Sequence, residues 1–202
     1  GECCIPGTPF SSEFCQVNCD CGRFMEIGNN VFMQYKKTAT GFEELAQKNV
    51  DFGGGLERLM AAILGNPDMF AIDLFAKART VLAQISGKVY GADPQETYAY
   101  RVVLDHIRAA TFLIGDGIVP SNKDQGYFVR RLIRRAVRFG RNLGLMQDFT
   151  DRVGQAVIET YSEAYPVLVE RREYILTELS REEEKFRKTL EVGLKEFRKL
   201  SG

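Results

Sequence analysis

The stretch Val50-Asp51-Phe52-Gly53-Gly54-Gly55-Leu56-Glu57-Arg58-Leu59 decides how the chain is read. A short hydrophobic run over residues 49–52 meets three consecutive glycines, and an apolar period of Leu56, Leu59, Met60, Ile63 and Leu64 begins at once. The spacing predicts a strand-to-helix turn. Glycines let a backbone approach another object with no Cβ in the way. The helix start adds unpaired N–H groups and a positive dipole end, which suit phosphate. Arg58, in the first turn, brings a planar, permanently charged fork for phosphate oxygens. Asp51, just before the glycines, sets a carboxylate beside the same spot, suited to an ammonium group. An anion seat and a cation seat so close together fit a ligand carrying both charges. The same residues also fit an ordinary strand-to-helix turn with a surface arginine.

Upstream, Phe24 and Glu26, then Val31, Met33 and Tyr35, alternate as in strands broken near Gly28. Downstream, charge is unevenly spread. Between Asp124 and Asp148 there is no acid, while Arg130, Arg131, Arg134, Arg135, Arg138 and Arg141 all fall there. On a helix, Arg130, Arg134, Arg138 and Arg141 lie within about 80° of one another, and Arg131 and Arg135 widen the arc to about 140°. Phe128, Val129, Leu132, Ile133, Ala136, Val137, Phe139 and Leu143 take the opposite side, so the helix is expected to bury one face and show an arginine wall on the other. Such a wall is the electrostatic footprint of nucleic-acid binding; it also fits a solvated face paired with acids elsewhere. Asn122 precedes this helix in the loop Pro120-Ser-Asn-Lys-Asp-Gln-Gly126. Its amide can read a base edge, and Ser121 or Asn122 can equally cap the helix.

Across 202 residues, 27 basic and 27 acidic side chains balance, so net charge gives no global pull toward nucleic acid, although local fields can still differ sharply. The 45% hydrophobic share is ordinary for a globular chain with a packed core. No apolar run approaches a membrane span and no secretory pattern opens the chain, so a cytoplasmic protein is expected. All five cysteines (Cys3, Cys4, Cys15, Cys19 and Cys21) fall in the first 21 residues. Cys15, Cys19 and Cys21 have thiolates to offer zinc, but the usual Cys-x2-Cys spacing and a second pair are missing, and free thiols fit as well. From about Pro67 onward the pattern is helical, with Pro94 placed to open a helix. Ile175, Leu179, Phe186, Leu190, Leu194, Phe197 and Leu200 predict a long amphipathic terminal helix with a packing seam.

Taken together, Arg23-Phe-Met-Glu-Ile-Gly-Asn-Asn-Val-Phe-Met-Gln-Tyr35 and the glycine segment resemble the motif 3 region of alanyl-tRNA synthetases, which are class II aminoacyl-tRNA synthetases. Asp105-His-Ile-Arg-Ala-Ala-Thr-Phe-Leu-Ile114, Asp116-Gly117, Pro120-Ser-Asn122 and residues 126–138 look like the helical tRNA-recognition domain of that family. The resemblance runs from about Arg23 to Leu200. It implies an α+β chain: residues 1–65 end a class II antiparallel sheet with a Cys-rich insertion and motif 3, and residues 66–202 form a mainly helical domain.

It also implies a chemistry: alanine is activated with ATP and Mg2+, then transferred to tRNA(Ala). By resemblance, Asp51 pairs the ammonium of alanine, Asn29 and Val31 line its pocket, and Gly53 and Gly55 let substrate approach. Arg58 holds the γ-phosphate of ATP. Asn122 reads the wobble G·U pair of the acceptor stem from the minor groove, with Arg130, Arg131, Arg134, Arg135 and Arg138 on its phosphates. One departure is Gly28, which stands where family members often carry a tryptophan. Nothing here resembles class II motifs 1 and 2, an editing domain or the second G·U-reading residue. The chain is therefore expected to be a fragment of a larger enzyme, inactive in adenylation alone. The alternatives are a non-catalytic RNA-binding module of synthetase origin and a metal-stabilised interaction protein.

Overall fold

The computed structural model describes residues 24–201, in two compact units that divide between Ile72 and Asp73. The division falls later than the expected 65/66 boundary because a 3-10 turn, Met69–Ala71, packs against the helix before it.

In the first unit, strand β1 (Gly28–Thr38) pairs antiparallel with β2 (Gly41–Gly54). Residues 24–27, expected in a strand, have no strand pairing. Two registers coexist along this ribbon. Thr38↔Gly41 to Tyr35↔Glu44 follow one frame, and Met33↔Asn49 to Gly28↔Gly54 follow another. Between them Gln34 alone lies opposite residues 45–48, and its Nε2 donates to Glu44 Oε1 at 3.0 Å. β2 continues through Gly53 and Gly54, so only Gly55 serves as N-cap of helix α1 (Leu56–Ile63). The apolar stripe that predicts α1 is largely exposed at Leu56, Leu59 and Ile63, with Ala61 buried. The ribbon is equally bare: Phe32, Phe42, Val50 and Phe52 are all more than half exposed.

The second unit holds α2 (Ala76–Ser86), α3 (Pro94–Gly115), α4 (Asp124–Asn142), α5 (Thr150–Tyr161), α6 (Pro166–Glu170) and α7 (Arg172–Ser201). Its core is built on α3. Asp93 caps that helix by accepting from Gln95 N and Glu96 N at 2.8 Å, and Pro94 occupies the first turn, where a missing N–H costs nothing. Tyr100, Val103, Leu104, Ile107 and Ile114, which recur on one face at helical steps of three, four and seven, are fully buried. Against them α4 buries Val129, Ile133, Ala136 and Val137, and α5 buries Val153, Val157 and Ile158.

Two expectations need correction. On α4, Phe128 is 61% exposed rather than buried, while Leu132 and Phe139 are half-buried. The buried residues of α4 centre about 130° around the helix from Phe128, which therefore sits at the edge of the apolar arc beside Arg135. On α7, the seam is covered only in its first half. Ile175 and Leu179 are buried, Phe186 and Leu190 half-buried, and Phe197 exposed; the side chains of Leu194 and Leu200 lie outside those described. In place of an unbroken apolar seam, α7 also buries two carboxylates, Glu182 (5% exposed) and Glu183 (0%). Among the described residues no helix is long and apolar enough to cross a membrane.

Candidate functional site

The first cluster lies on the hairpin. Asn29 pairs with Gly53 and Val31 with Asp51. Directly paired residues share a face and alternate residues return to it, so these four stand together on one side of the ribbon. All four are exposed. A Cβ at Gly53 would meet only Asn29 Oδ1, at 3.6 Å, an ordinary contact; the described residues leave the strand open there. Gly28 and Gly54 belong to the other face, where the Phe52 ring lies 2.7 Å and 3.0 Å from where their Cβ atoms would be. Gly28 therefore lies on the face opposite Asn29, where the Phe52 ring covers it.

Arg58 turns back toward the chain entering β1. Its stem folds back over Gly55, with Cδ 3.3 Å from where a Cβ would stand. Its Nη1 donates to the carbonyl of Glu26 at 3.1 Å, which ties the helix start to the chain entering β1. The side chain is still exposed. Gly55 N donates to Ile27 O at 3.0 Å, so the glycine end of β2 is held at both its cap and its first turn.

The second cluster is a groove of about 630 Å³ along α4. Arg130, Arg131, Arg134, Arg135 and Arg138 line it, with Asn122 and the rings of Tyr127, Phe139 and Phe186. The arginines are not equivalent. Arg134 Nε donates to Glu182 Oε1 at 2.6 Å, Arg130 Nε lies 3.3 Å from the same oxygen, and the Arg134 guanidinium sits 5.0 Å above the Phe186 ring. Arg135 is 5.8 Å from the Phe139 ring centre and Arg138 6.0 Å from it. Among the described residues Arg131, Arg135 and Arg138 have no carboxylate within salt-bridge distance, and all three are exposed. The wall is thus two anchored arginines and three open ones.

Asn122 is exposed and does not cap α4, whose N-cap is Lys123 with no side-chain cap bond. The loop is tied by Ser121 instead: its N–H donates to Gly126 O at 3.0 Å and its Oγ donates to Lys123 O at 3.0 Å. Gly126 makes this possible, since a Cβ there would run into Ser121 Oγ and Val119 O. Asp124 turns the chain into the helix with φ of 49°, a conformation that Asp tolerates better than most residues. Together these contacts order the backbone of the loop that carries Asn122, whose exposed side chain lines the groove.

Sequence reasoning missed Glu182, Phe186 and Tyr98, whose hydroxyl lies 3.5 Å from Arg135 Nη2. Glu182 sits in the run Glu182-Glu183-Glu184, which reads as a solvated helix face. Cys15, Cys19 and Cys21 lie outside the described residues. Within the described residues no group of three or more His, Cys, Asp or Glu could hold a metal ion.

The described residues thus carry an open polar face beside a glycine-rich strand end, and an arginine groove lined by one exposed amide. Residues 10–201 match the family model for class II (A) tRNA synthetases. The chain is 44% identical over 181 residues to alanine–tRNA ligase 1 of Lachnoclostridium phytofermentans, covering 89% of this chain and 21% of that protein. It is 43% identical over 183 residues to the alanine–tRNA ligase of Caldicellulosiruptor saccharolyticus, covering 90% of this chain and 21% of that protein. With the enzyme of Carboxydothermus hydrogenoformans it shares 46% over 181 residues, again 89% of this chain and 21% of that protein. The chain belongs to the class II tRNA synthetase family. Within that class its relatives are alanine–tRNA ligases, and it spans about a fifth of their length.

Proposed function

We propose that this chain is part of an alanine–tRNA ligase and carries two of its working surfaces. On the hairpin face, Asp51 pairs the ammonium of alanine, Asn29 and Val31 flank the amino acid, and Gly53 leaves room for it against the strand. Arg58, braced on the Glu26 carbonyl and folded over Gly55, directs its remaining donors to the γ-phosphate of ATP. The alanine carboxylate then displaces pyrophosphate from the α-phosphate. These residues contribute by holding the two reactants and balancing charge, not by covalent chemistry. Mg2+ accompanies ATP in this family.

On α4, the arginine groove takes the acceptor stem of tRNA(Ala), with Asn122 aimed at the G·U pair and the arginines at phosphates. The observation that carries this reading is the composition of the groove: five guanidiniums and one uncommitted amide line a single concavity. Base readout needs such an amide held in register by phosphate contacts.

Two measurements test the proposal. The 202-residue chain should bind an acceptor-stem duplex with strong salt dependence, and should support no alanine-dependent exchange of pyrophosphate into ATP. Binding without exchange also fits a non-catalytic RNA-binding module. That alternative is excluded when the longer protein that contains this sequence charges tRNA(Ala) and loses charging with Asp51→Ala. A chain that binds the duplex no better at low salt than at high salt would refute the groove assignment.

A further inference from the structure

We infer that Glu182 is a positioning residue for the α4 groove: it sets Arg130 and Arg134 for phosphate without touching the RNA. The inference rests on the proposed RNA-binding reading of that groove. Three observations carry it. Glu182 is buried on α7 and does not line the groove, so it stands behind the wall. One of its oxygens, Oε1, meets the Nε edge of both arginines, at 2.6 Å from Arg134 and 3.3 Å from Arg130. Phe186, one turn further along α7, lies under the Arg134 guanidinium at 5.0 Å.

The use of Nε matters. A guanidinium has two hydrogen-bonding edges, and a carboxylate bound through Nε leaves terminal N–H groups available on the far side. Arg130 and Arg134 are one helical turn apart, so a single fixed anion between their Nε atoms aligns two forks side by side. Long side chains lose rotamer freedom when they bind, and a site that has already fixed them binds more tightly for the same contacts. The cost is partial neutralisation of two cations by one anion.

Two effects therefore oppose each other when the charge is removed. Counted only as a counter-charge, Glu182 weakens RNA binding, and its loss should tighten it and steepen the salt dependence. As a positioning group, its loss should release both arginines and weaken binding. A simple tether between α7 and α4 would change stability and leave RNA affinity alone.

The test uses the 202-residue chain, an acceptor-stem duplex of tRNA(Ala) with its G·U pair, and four proteins: the parent, Glu182→Gln, the double variant Arg130→Gln/Arg134→Gln, and the triple variant. Affinities are read across a salt series, with thermal melting beside them. The parent is expected to bind, and Glu182→Gln to bind about tenfold more weakly, the scale of one charge-assisted hydrogen bond. Adding Glu182→Gln to the double variant should change affinity no further, because its effect runs through the two arginines. Tighter binding by Glu182→Gln overturns the proposal, as does unchanged affinity with a lowered melting temperature. An equal loss in both backgrounds overturns it too, because that would be general damage to the fold. If the parent fails to bind the duplex, the RNA-binding reading itself fails and this inference falls with it.

Discussion

The carboxylate next to Glu182 allows a stability prediction with its sign fixed by geometry. Glu183 is fully buried, yet its Oε2 accepts from Phe149 N at 3.2 Å and Thr150 N at 3.0 Å, capping α5 from another helix. Its other oxygen, Oε1, has no hydrogen-bond partner among the described residues. Burial pushes the Glu183 carboxyl above its ordinary value of 4.5, against the pull of the Phe149 and Thr150 backbone donors and of the Arg187 charge. A carboxyl whose folded pKa is raised holds its proton more readily in the folded state. Its contribution is therefore most favourable below 4.5 and is lost as pH rises through the folded pKa. Glu183→Gln keeps an acceptor at the cap and removes the titration. Relative to that variant, the parent should lose stability steadily above 4.5, at up to about 1.4 kcal/mol per unit of pKa displacement. Glu183→Ala should cost about 2–4 kcal/mol at pH 4, because it strands two buried N–H groups and leaves a cavity, and that cost should shrink as the parent's carboxyl deprotonates. The assay is urea unfolding of the three proteins from pH 4 to 8. Parent and Glu183→Gln curves that run parallel across that range would show the raised pKa to be wrong. An alanine variant as stable as the parent at pH 4 would dismiss the cap.

Other expectations concern the two surfaces. Arg131→Gln and Arg138→Gln should each flatten the salt dependence of stem binding by about 0.7–0.9 unit, one phosphate contact apiece, measured as log affinity against log salt. Asn122→Ala should reduce the preference for a G·U stem over a G·C stem by about 1–3 kcal/mol, read as a ratio of affinities; equal loss on both stems would deny it a reading role. In the longer protein, Asp51→Ala should raise KM for alanine while leaving KM for ATP nearly unchanged, since only the amino acid carries an ammonium; equal rises in both would mean that Asp51 shapes the strand instead.

Much of the second unit is legible from local pattern. The start of α3 follows from Asp93 and Pro94, and the amphipathicity of α4 follows from its arginine spacing. Where the pattern misleads, the cause is tertiary. Helical periodicity gives the width of the apolar arc of α4 but not the centre of its contact with α3, so Phe128 is misassigned. On α7, repeated apolar spacing predicts a seam along the full helix, but only the part within reach of α4 and α5 finds cover. The link from Glu182 to Arg130 and Arg134 spans about fifty residues and leaves no local trace, since a glutamate in an acidic run looks the same whether it faces water or two guanidiniums. For the hairpin, residue types suggest strands and a shared polar cluster, but not the change of frame along the ribbon.

That change of frame has a consequence of parity. Had the register set at the Thr38↔Gly41 end continued unbroken, Asp51 would oppose Gly28 and share that residue's face, away from Asn29. The surplus of residues 45–48 over Gln34 is an odd number, and an odd offset reverses sides. Insertions or deletions in this short segment should therefore be tolerated in steps of two. A single added or lost residue that carried through the pairing would separate the acid from the amide while leaving both strands intact.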